Sequence, residues 1–483
     1  MITGTGSGCG KTTVTVALLA SLAHLGMKTA SFKCGPDYID PTFHGKALGA
    51  DSRNLDVFLM GEEGVKYALA RNEGNREIAL LESAMGLYDG QGETGYSSGN
   101  HISLLTDTPV ILVVGAKGMS LSICAIIKGF MEFDKNNICA VVLNEIKPGM
   151  YGFYKKMIEE RLKIDVIGYL PNLPDARIES RRLGLVAAGE IPDMHKKIGL
   201  LKESALQYID MHRLLKIAGQ AAPLEITGQT APLDNAERAT PLGFVGDFFS
   251  NTAAGSSPCS FVNFEPVKIY ASRDEAFFFF YEDNHDMLRA MGAEIAFFSP
   301  LRDESVPDDA DGLIIWGGYP ELHGAELAAN EKLRYSLNAA INKGLPVYAE
   351  SGGFVCLQES LTDSDGVTHR LFGAIRGNVK VTEKLQGFGY FELEALADNM
   401  MCRAGEKINA HFFRYAAGDN EGCCFVAKKR GVKAFDCIVS EGGIFAGFQH
   451  LHFWGNPSFA RNFINACVKY KRRRQSAGDV SFI

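Results

Sequence analysis

The sequence predicts an α/β protein of two domains, and three observations carry that prediction. Short apolar runs of strand length alternate with helix-length segments through residues 1–200, the pattern of a mostly parallel sheet covered on both faces. The same alternation resumes at residue 266 and continues to about residue 470. Between them, residues 201–265 lose the pattern and nearly repeat themselves as GQAAPLEI and GQTAPLDN, so they read as a linker with room for one helix.

Individual elements follow from local pattern. In the first domain EIALLES (77–83), PVILVVGA (109–116) and ICAVVLNEI (138–146) are strands, and residues 149–162 have helical length and spacing. In the second, VKIYASR (267–273), GAEIAFFSP (292–300), DGLIIWGGYP (311–320) and LPVYAES (345–351) repeat the strand signal. Residues 471–483 close the chain as a basic tail.

Composition narrows the function classes. The 483 residues are 46% hydrophobic and 22% charged, which is ordinary for a globular protein. A formal net charge of −8 argues against nucleic acid as the main partner. The one basic cluster, Lys469, Lys471, Arg472, Arg473 and Arg474, reads as a solvated end of the chain. Eleven cysteines without CxxC spacing fit reduced thiols in a cytoplasmic protein, and no apolar run is long enough for a membrane span.

The first chemical motif is ITGTGSGCGKTTVTVALLASLAHLG (2–26). Gly6, Gly8 and Gly10 let backbone N–H groups approach phosphate oxygens, Lys11 can reach terminal phosphates, and Thr12 can offer its hydroxyl to Mg²⁺; Thr13 completes the set. Val14, Val16, Leu18, Leu19, Leu22 and Leu25 recur at helical spacing, so the loop opens a helix as a P-loop should. Thr5 stands where the first Gly of the strict pattern belongs, with Gly4 one residue earlier. Only Met1, Ile2 and Thr3 precede the loop, which predicts a truncated strand or a start farther upstream.

Two acidic stretches follow. FKCGPDYIDPTFH (32–44) places Asp37 and Asp40 three apart between Pro36 and Pro41, which forbid a continuous helix; alone, it reads equally well as a loop with solvated acids. LLESAMGLYDG (80–90) puts Glu82 at a strand end, a good position for Mg²⁺ beside a phosphate loop, and Asp89 before a Gly, where a turn role is nearly as good. A third stretch, VYAESGGFVCL (347–357), has the form of a strand, a tight turn and a helix, which exposes one nucleophile, here Ser351.

The ordered succession GTGSGCGKTT, KCGPDYIDPTFH, ESAMGLYDG, VVLN (141–144), IGYLP (167–171), GGYPELH (317–323), YAESGG (348–353) and HLHF (450–453) resembles the cobyrinic acid a,c-diamide synthase family over nearly the whole chain outside the linker and tail. Ni-sirohydrochlorin a,c-diamide synthases share the layout, and cobyric acid synthase and dethiobiotin synthetase are more distantly similar. The resemblance implies a P-loop amide-ligase domain (1–200) that uses ATP and Mg²⁺ to phosphorylate acetate carboxylates of a corrin-type tetrapyrrole. An acyl phosphate would form, and ammonia would displace the phosphate. Thr12 and Glu82 become metal ligands by that match, Asp37, Asp40 and Asp89 hold metal or phosphorylated intermediate, and Lys33 lies near the phosphates. Asn144 falls where relatives contact adenine, although a structural Asn after a strand is nearly as good a reading.

The second domain (266–470) resembles a class I glutamine amidotransferase, in which a Cys thiolate attacks the glutamine amide and a His moves the proton. His450 matches that His, Gly317 and Gly318 match the oxyanion-binding backbone, and Trp316 replaces a Gly often found there; His452 reads as structural. Ser351 occupies the nucleophile position, and a hydroxyl ionises far less readily than a thiol. Cys356, about a turn and a half into the following helix, is expected to be a core thiol. Where relatives carry a motif like GHEFHYS, this chain has AHFFRYA (410–416), with Phe412 and Arg414 in place of Glu and His. Concerted drift implies a natural divergent member with impaired glutaminase that takes nitrogen from glutamine or from free ammonia. A Ni-sirohydrochlorin a,c-diamide synthase-like enzyme, a noncatalytic tetrapyrrole- or nucleotide-binding paralogue and a P-loop switch ATPase are the other readings. Exposed sheet edges in such domains often pair, which suits a homodimer.

Overall fold

The computed structural model describes residues 1–49, 52–73, 76–178, 180–181, 184–185, 191, 193–221 and 265–479. They fall into two compact units, one within residues 1–227 and one within 228–483.

The first unit is built on seven strands: β1 (Ile2–Gly4), β2 (Thr29–Cys34), β3 (Arg53–Leu55), β4 (Ile78–Gly86), β5 (Val110–Gly115), β6 (Ile138–Asn144) and β7 (Asp165–Leu170). Their order is β3-β2-β4-β1-β5-β6-β7, and every pairing is parallel. Strands such as TASFKC and VILVVG are buried along almost their whole length because helices cover both faces. The expected short first strand is present: three residues suffice because β1 lies between β4 and β5, so both of its edges are paired. The first helix, α1 (Lys11–His24), buries Val14, Val16, Leu18, Leu19 and Leu22, each such side chain contributing roughly 1.5–3 kcal/mol. Leu25, counted with that stripe on spacing alone, lies past the helix end and is half exposed.

The boundary drawn at residue 200 falls within a helix. Met194–Tyr208 is continuous, packs against α1, and is followed by Met211–Ala218. Between them Ile209 forms a bridge to Gly168 in β7, so these helices extend the nucleotide-type unit and are not linker. Propensity alone cannot show this, since what recruits the segment is tertiary burial of Ile198, Leu201 and Ala205. The remainder of the predicted linker, from residue 222 to 264 with most of the near-repeat, lies outside the described residues.

The second unit has a six-stranded sheet in the order Ala293–Phe298, Val267–Ser272, Gly312–Ile315, Val347–Glu350, Ile444–Gly447, Val439–Glu441. All pairings are parallel except the last. A five-stranded antiparallel sheet runs Val432–Cys437, Phe425–Lys429, Gly387–Ala395, Lys407–Arg414, His450–Leu451. It has a functional consequence, because its last strand carries His450 to the C-terminal end of Val347–Glu350.

The basic cluster is also not a solvated tail in its described part. Pro457–Asp479 is one helix, along which Lys471 donates to Pro266 O (2.6 Å) and Arg472 to Glu265 (2.7 Å). Arg474 donates to the Asp311 carboxylate at 2.8 Å and to the carbonyls of Asp308 and Ala310. Asp311 is nearly fully buried, and a buried carboxylate requires such partners. Among the described residues no helix is long and apolar enough to cross a membrane, and every cysteine is a free thiol.

Candidate functional sites

The first site forms where β1, β2 and β4 end beside the N-terminus of α1. Gly10 has φ +94°, and a Cβ there would lie 1.9 Å from Asn144 Nδ2, so the left-handed turn and the close approach both require glycine. Asn144 donates to Cys9 O at 3.1 Å, bracing the loop from β6, which is the structural role weighed for it. Lys11 folds back to donate to Gly6 O at 2.9 Å, and burial lowers its pKa. Gly8 is exposed with φ +78°, and Thr13 lies in the first turn of α1.

Around this loop the structure gathers Thr12, Lys33, Asp37, Asp40 and Glu82. Thr12 Oγ1 donates to Glu82 Oε1 at 2.7 Å and to Asp40 Oδ2 at 3.1 Å. Lys33 is wholly buried and bonded to Asp40 and to Glu82 (2.9 Å), with Asp37 at 3.9 Å. Burial disfavours its charge, yet Asp40 and Glu82 outweigh that and hold the ammonium above its ordinary pKa. Burial likewise opposes ionisation of Glu82, but Lys33 and His44 keep its carboxyl well below the usual range. Burial and Asp37 push the Asp40 carboxyl up to about 6 against the pull of Lys33. Of the two acids read as a solvated loop, Asp40 is buried, and Asp37 is turned inward enough to cap the N–H groups of Ile39 and Asp40.

Asp89 Oδ2 accepts from Gly86 N at 2.8 Å, the turn role, beside the glycine loop: a Cβ on Gly86 would lie 2.6 Å from that oxygen and 3.3 Å from Gly6 Cα. His44, at the end of the acidic stretch, carries no motif signal of its own in the sequence. Its Nε2 meets Glu82 Oε2 at 2.7 Å, and its Nδ1 meets Ser31 Oγ at 2.9 Å, so a buried chain holds Glu82 from behind. Among the described residues no group of three His, Cys, Asp or Glu side chains converges to hold a metal ion. Thr12 hydroxyl with the Glu82 and Asp40 carboxylates is nonetheless a hard oxygen set of the kind Mg²⁺ shares with nucleotide phosphates and water, and it fits that ion.

The second site centres on Ser351, between the strand Val347–Glu350 and the short helix Gly352–Leu357. Ser351 has φ +50° and ψ −113°, a strained conformation costing about 1–3 kcal/mol that the fold maintains through Ser351 N donating to Gly447 O (2.8 Å). A Cβ on Gly353 would lie 2.0 Å from Ile315 O and one on Gly352 2.9 Å from Gly318 N, so the double glycine lets the turn press against the end of Gly312–Ile315 and the Gly317–Gly318 strand that follows. A Cβ on Gly317 would lie 2.7 Å from His450 Cε1, 3.2 Å from Ser351 Cβ and 3.2 Å from Phe279 Cβ. Ser351, His450 and Gly317 therefore flank one point. Cys356 is fully buried and its thiol is pushed well up by that burial.

Glu350 was not singled out from the sequence. It is fully buried and accepts from His450 Nδ1 (3.1 Å), Tyr348 OH (2.7 Å) and Leu451 N (3.2 Å). The available signal was an acid at the end of an otherwise apolar buried strand. Burial and the Glu350 charge together push the Tyr348 phenol well above its ordinary value. His411 pairs in register with His450 across the antiparallel sheet, and burial, then His450, lowers it to about 3. Phe412 packs in the core with Phe391 and Phe435, where a carboxylate would be buried without a partner. Arg414 makes two 2.7 Å bonds to Glu421 and lies over the Phe448 ring at 4.0 Å. Both departures from the family motif are accommodated by surrounding residues.

His452 is wholly buried against Tyr281, and burial lowers it to about 3. A histidine neutral in the fold but protonated near pH 6.5 when unfolded makes the unfolded state bind more protons on acidification. Stability of the second unit is therefore expected to fall between about pH 6.5 and about 3, by up to about 1.4 kcal/mol per pH unit for each of His411 and His452. His452→Phe should flatten that dependence, read from urea unfolding midpoints at pH 7.5 and 5.5. Identical slopes in the two proteins would exclude His452 as a source.

Comparison with known proteins follows the same division. Residues 1–185 match the CobQ/CobB/MinD/ParA nucleotide binding domain, and residues 268–458 match the CobB/CobQ-like glutamine amidotransferase domain. The cobyrinate a,c-diamide synthase of Clostridium tetani is 36% identical, covering 95% of this chain and 98% of its own. Those of Priestia megaterium (34%; 99% and 98%) and Thermoplasma volcanium (34%; 98% and 98%) are similar over the same extent. With two matched domains in this order and identity above a third along nearly the whole length, the chain belongs to the cobyrinate a,c-diamide synthase family.

Proposed function

We propose that this protein is an ATP-dependent amide ligase that converts acetate carboxylates of a corrin-type tetrapyrrole, the a and c side chains of cobyrinic acid, into amides. The observation that carries this reading is the buried cluster of Thr12, Lys33, Asp40 and Glu82 beside the glycine-rich loop. A nucleotide-binding module without phosphoryl transfer would have little use for two carboxylates and a lysine held there by burial and hydrogen bonds.

In this reading the loop N–H groups and Lys11 bind the ATP phosphates. Thr12 and Glu82, with Asp40 adjacent, hold Mg²⁺, which when bound offsets charge on the phosphates. Lys33 is placed to balance negative charge as the phosphoryl group moves to the carboxylate. That step replaces an oxide leaving group with phosphate, so ammonia can displace it from the acyl phosphate. His44 keeps Glu82 in place, and Asn144 and Asp89 shape the walls of the loop.

Within this reading the nitrogen source turns on Ser351. Ser351 in place of a thiolate nucleophile makes glutamine a poor donor, so free ammonia serves instead. Incubation with ATP, Mg²⁺ and cobyrinic acid is expected to give product mass shifted by amide for acid with ammonium. With glutamine alone the rate should be lower by about three orders of magnitude or more. Equal rates with both donors would overturn the ammonia reading, and no product with either would overturn the tetrapyrrole ligase reading. ATP turnover with sirohydrochlorin-type acids would then favour the Ni-sirohydrochlorin alternative.

A further inference from the structure

We infer that Ser351, His450 and Glu350 form a serine-hydrolase triad, and that the second unit cleaves small neutral carboxylic esters through an acyl-serine intermediate. The inference rests on the reading of Ser351 and His450 as one site, but not on ATP, tetrapyrrole or nitrogen chemistry.

Four observations support it. Ser351 is partly exposed, and its side chain makes no cap bond to the helix it precedes, so the strained turn does not commit its hydroxyl to that helix. His450 Cε1 and Ser351 Cβ flank the same point above Gly317. The Glu350 carboxylate on His450 Nδ1 selects the tautomer that exchanges protons at Nε2 and stabilises the imidazolium that forms. Because Tyr348 OH and Leu451 N also donate to Glu350, that carboxylate stays fixed behind the ring in a wholly buried setting. A site retained only as scaffold has no use for a strained turn, which costs stability.

Substrate class follows from the walls and the nucleophile. Phe279 borders the same point and packs edge-on to Tyr319 at 4.9 Å and to Phe278 at 4.7 Å, an apolar wall suited to a neutral acyl or aryl group. Ser351 Oγ attacks the ester carbonyl carbon while His450 Nε2 takes its proton. The C–O bond to the leaving group then breaks, and the departing alkoxide or phenoxide takes that proton. Water next attacks the acyl-serine with His450 again as base, releasing the acid and restoring the hydroxyl. An ester suits this sequence better than glutamine, because a phenoxide departs readily whereas an amide nitrogen must be protonated to leave.

The test uses the full chain without ATP. With p-nitrophenyl acetate a burst of about one nitrophenolate per chain is expected, followed by slower turnover. A fluorophosphonate should add its phosphonyl group, with loss of fluoride, to the peptide carrying Ser351. Ser351→Ala should lose both signals. Glu350→Gln, where Glu350 acts as a positioning residue, should lower kcat about 100-fold or more with KM little changed and move the acid limb of the pH–rate profile. A native chain that shows no adduct on Ser351, or hydrolysis undiminished in Ser351→Ala, would overturn the inference. The labelling is done on the native protein, so a variant that failed to fold would not obscure the outcome.

Discussion

Replacing Ser351 with Cys is expected to raise glutamine-dependent amidation by about 10³-fold while leaving the ammonium-dependent rate unchanged. The supporting geometry is already in place: the strained turn at Ser351, the Gly317–Gly318 strand against it, and His450 held by Glu350. What is missing is a nucleophile that ionises near neutral pH. A thiol beside an imidazole supplies it, and removing one member of such a unit costs several orders of magnitude. The measurement is the ratio of product formed with glutamine to that formed with ammonium, in the native protein and the variant. A rise below tenfold would locate the impairment elsewhere, with Phe412 and Arg414 the next positions to revert.

Glu82→Gln should reduce product from either nitrogen source by about 10³-fold and leave ester hydrolysis by the second unit intact. Glu82 is itself wholly buried and joins Lys33, His44 and the partly exposed Thr12 through 2.7–2.9 Å bonds. Gln keeps the volume but removes the charge that balances Lys33 and would face Mg²⁺. Loss of one such preorganised charge is worth about 10²–10³ in rate. Loss of the metal ligand adds to it. Thermal unfolding of the first unit separates a catalytic from a structural effect, because breaking a buried ion pair also costs about 3–5 kcal/mol. A product rate within tenfold of native would remove Glu82 from the phosphoryl chemistry.

Legibility differed between the two sites. The P-loop was readable because its function lies in backbone: Gly8, Gly10, Lys11 and Thr12 are adjacent, and their spacing is the mechanism. Ser351 was readable from the same kind of local signature, a strand followed by a double glycine. Glu350, His44 and His411 were not assigned, although each lies beside or within a quoted motif. An acid or histidine in an apolar run looks the same whether it is a core residue or part of a relay, and only its partners distinguish the two. The helix Met194–Tyr208 was divided by the sequence reading for a related reason, since the burial that holds it comes from α1 and β7, far away in the chain.

The sequence by itself therefore determined the α/β class, the mostly parallel character of the first sheet, the phosphate loop and the strand–turn–helix form around Ser351, because each depends on periodicity or on neighbouring residues. Tertiary structure alone decided which carboxylate meets which basic side chain. Lys33 lies 49 residues from Glu82 and His450 lies 100 from Glu350, yet each pair meets within 3.1 Å in a site that excludes water. Such pairings are set by strand order and register, and once water is excluded the unpaired alternative is too costly to persist.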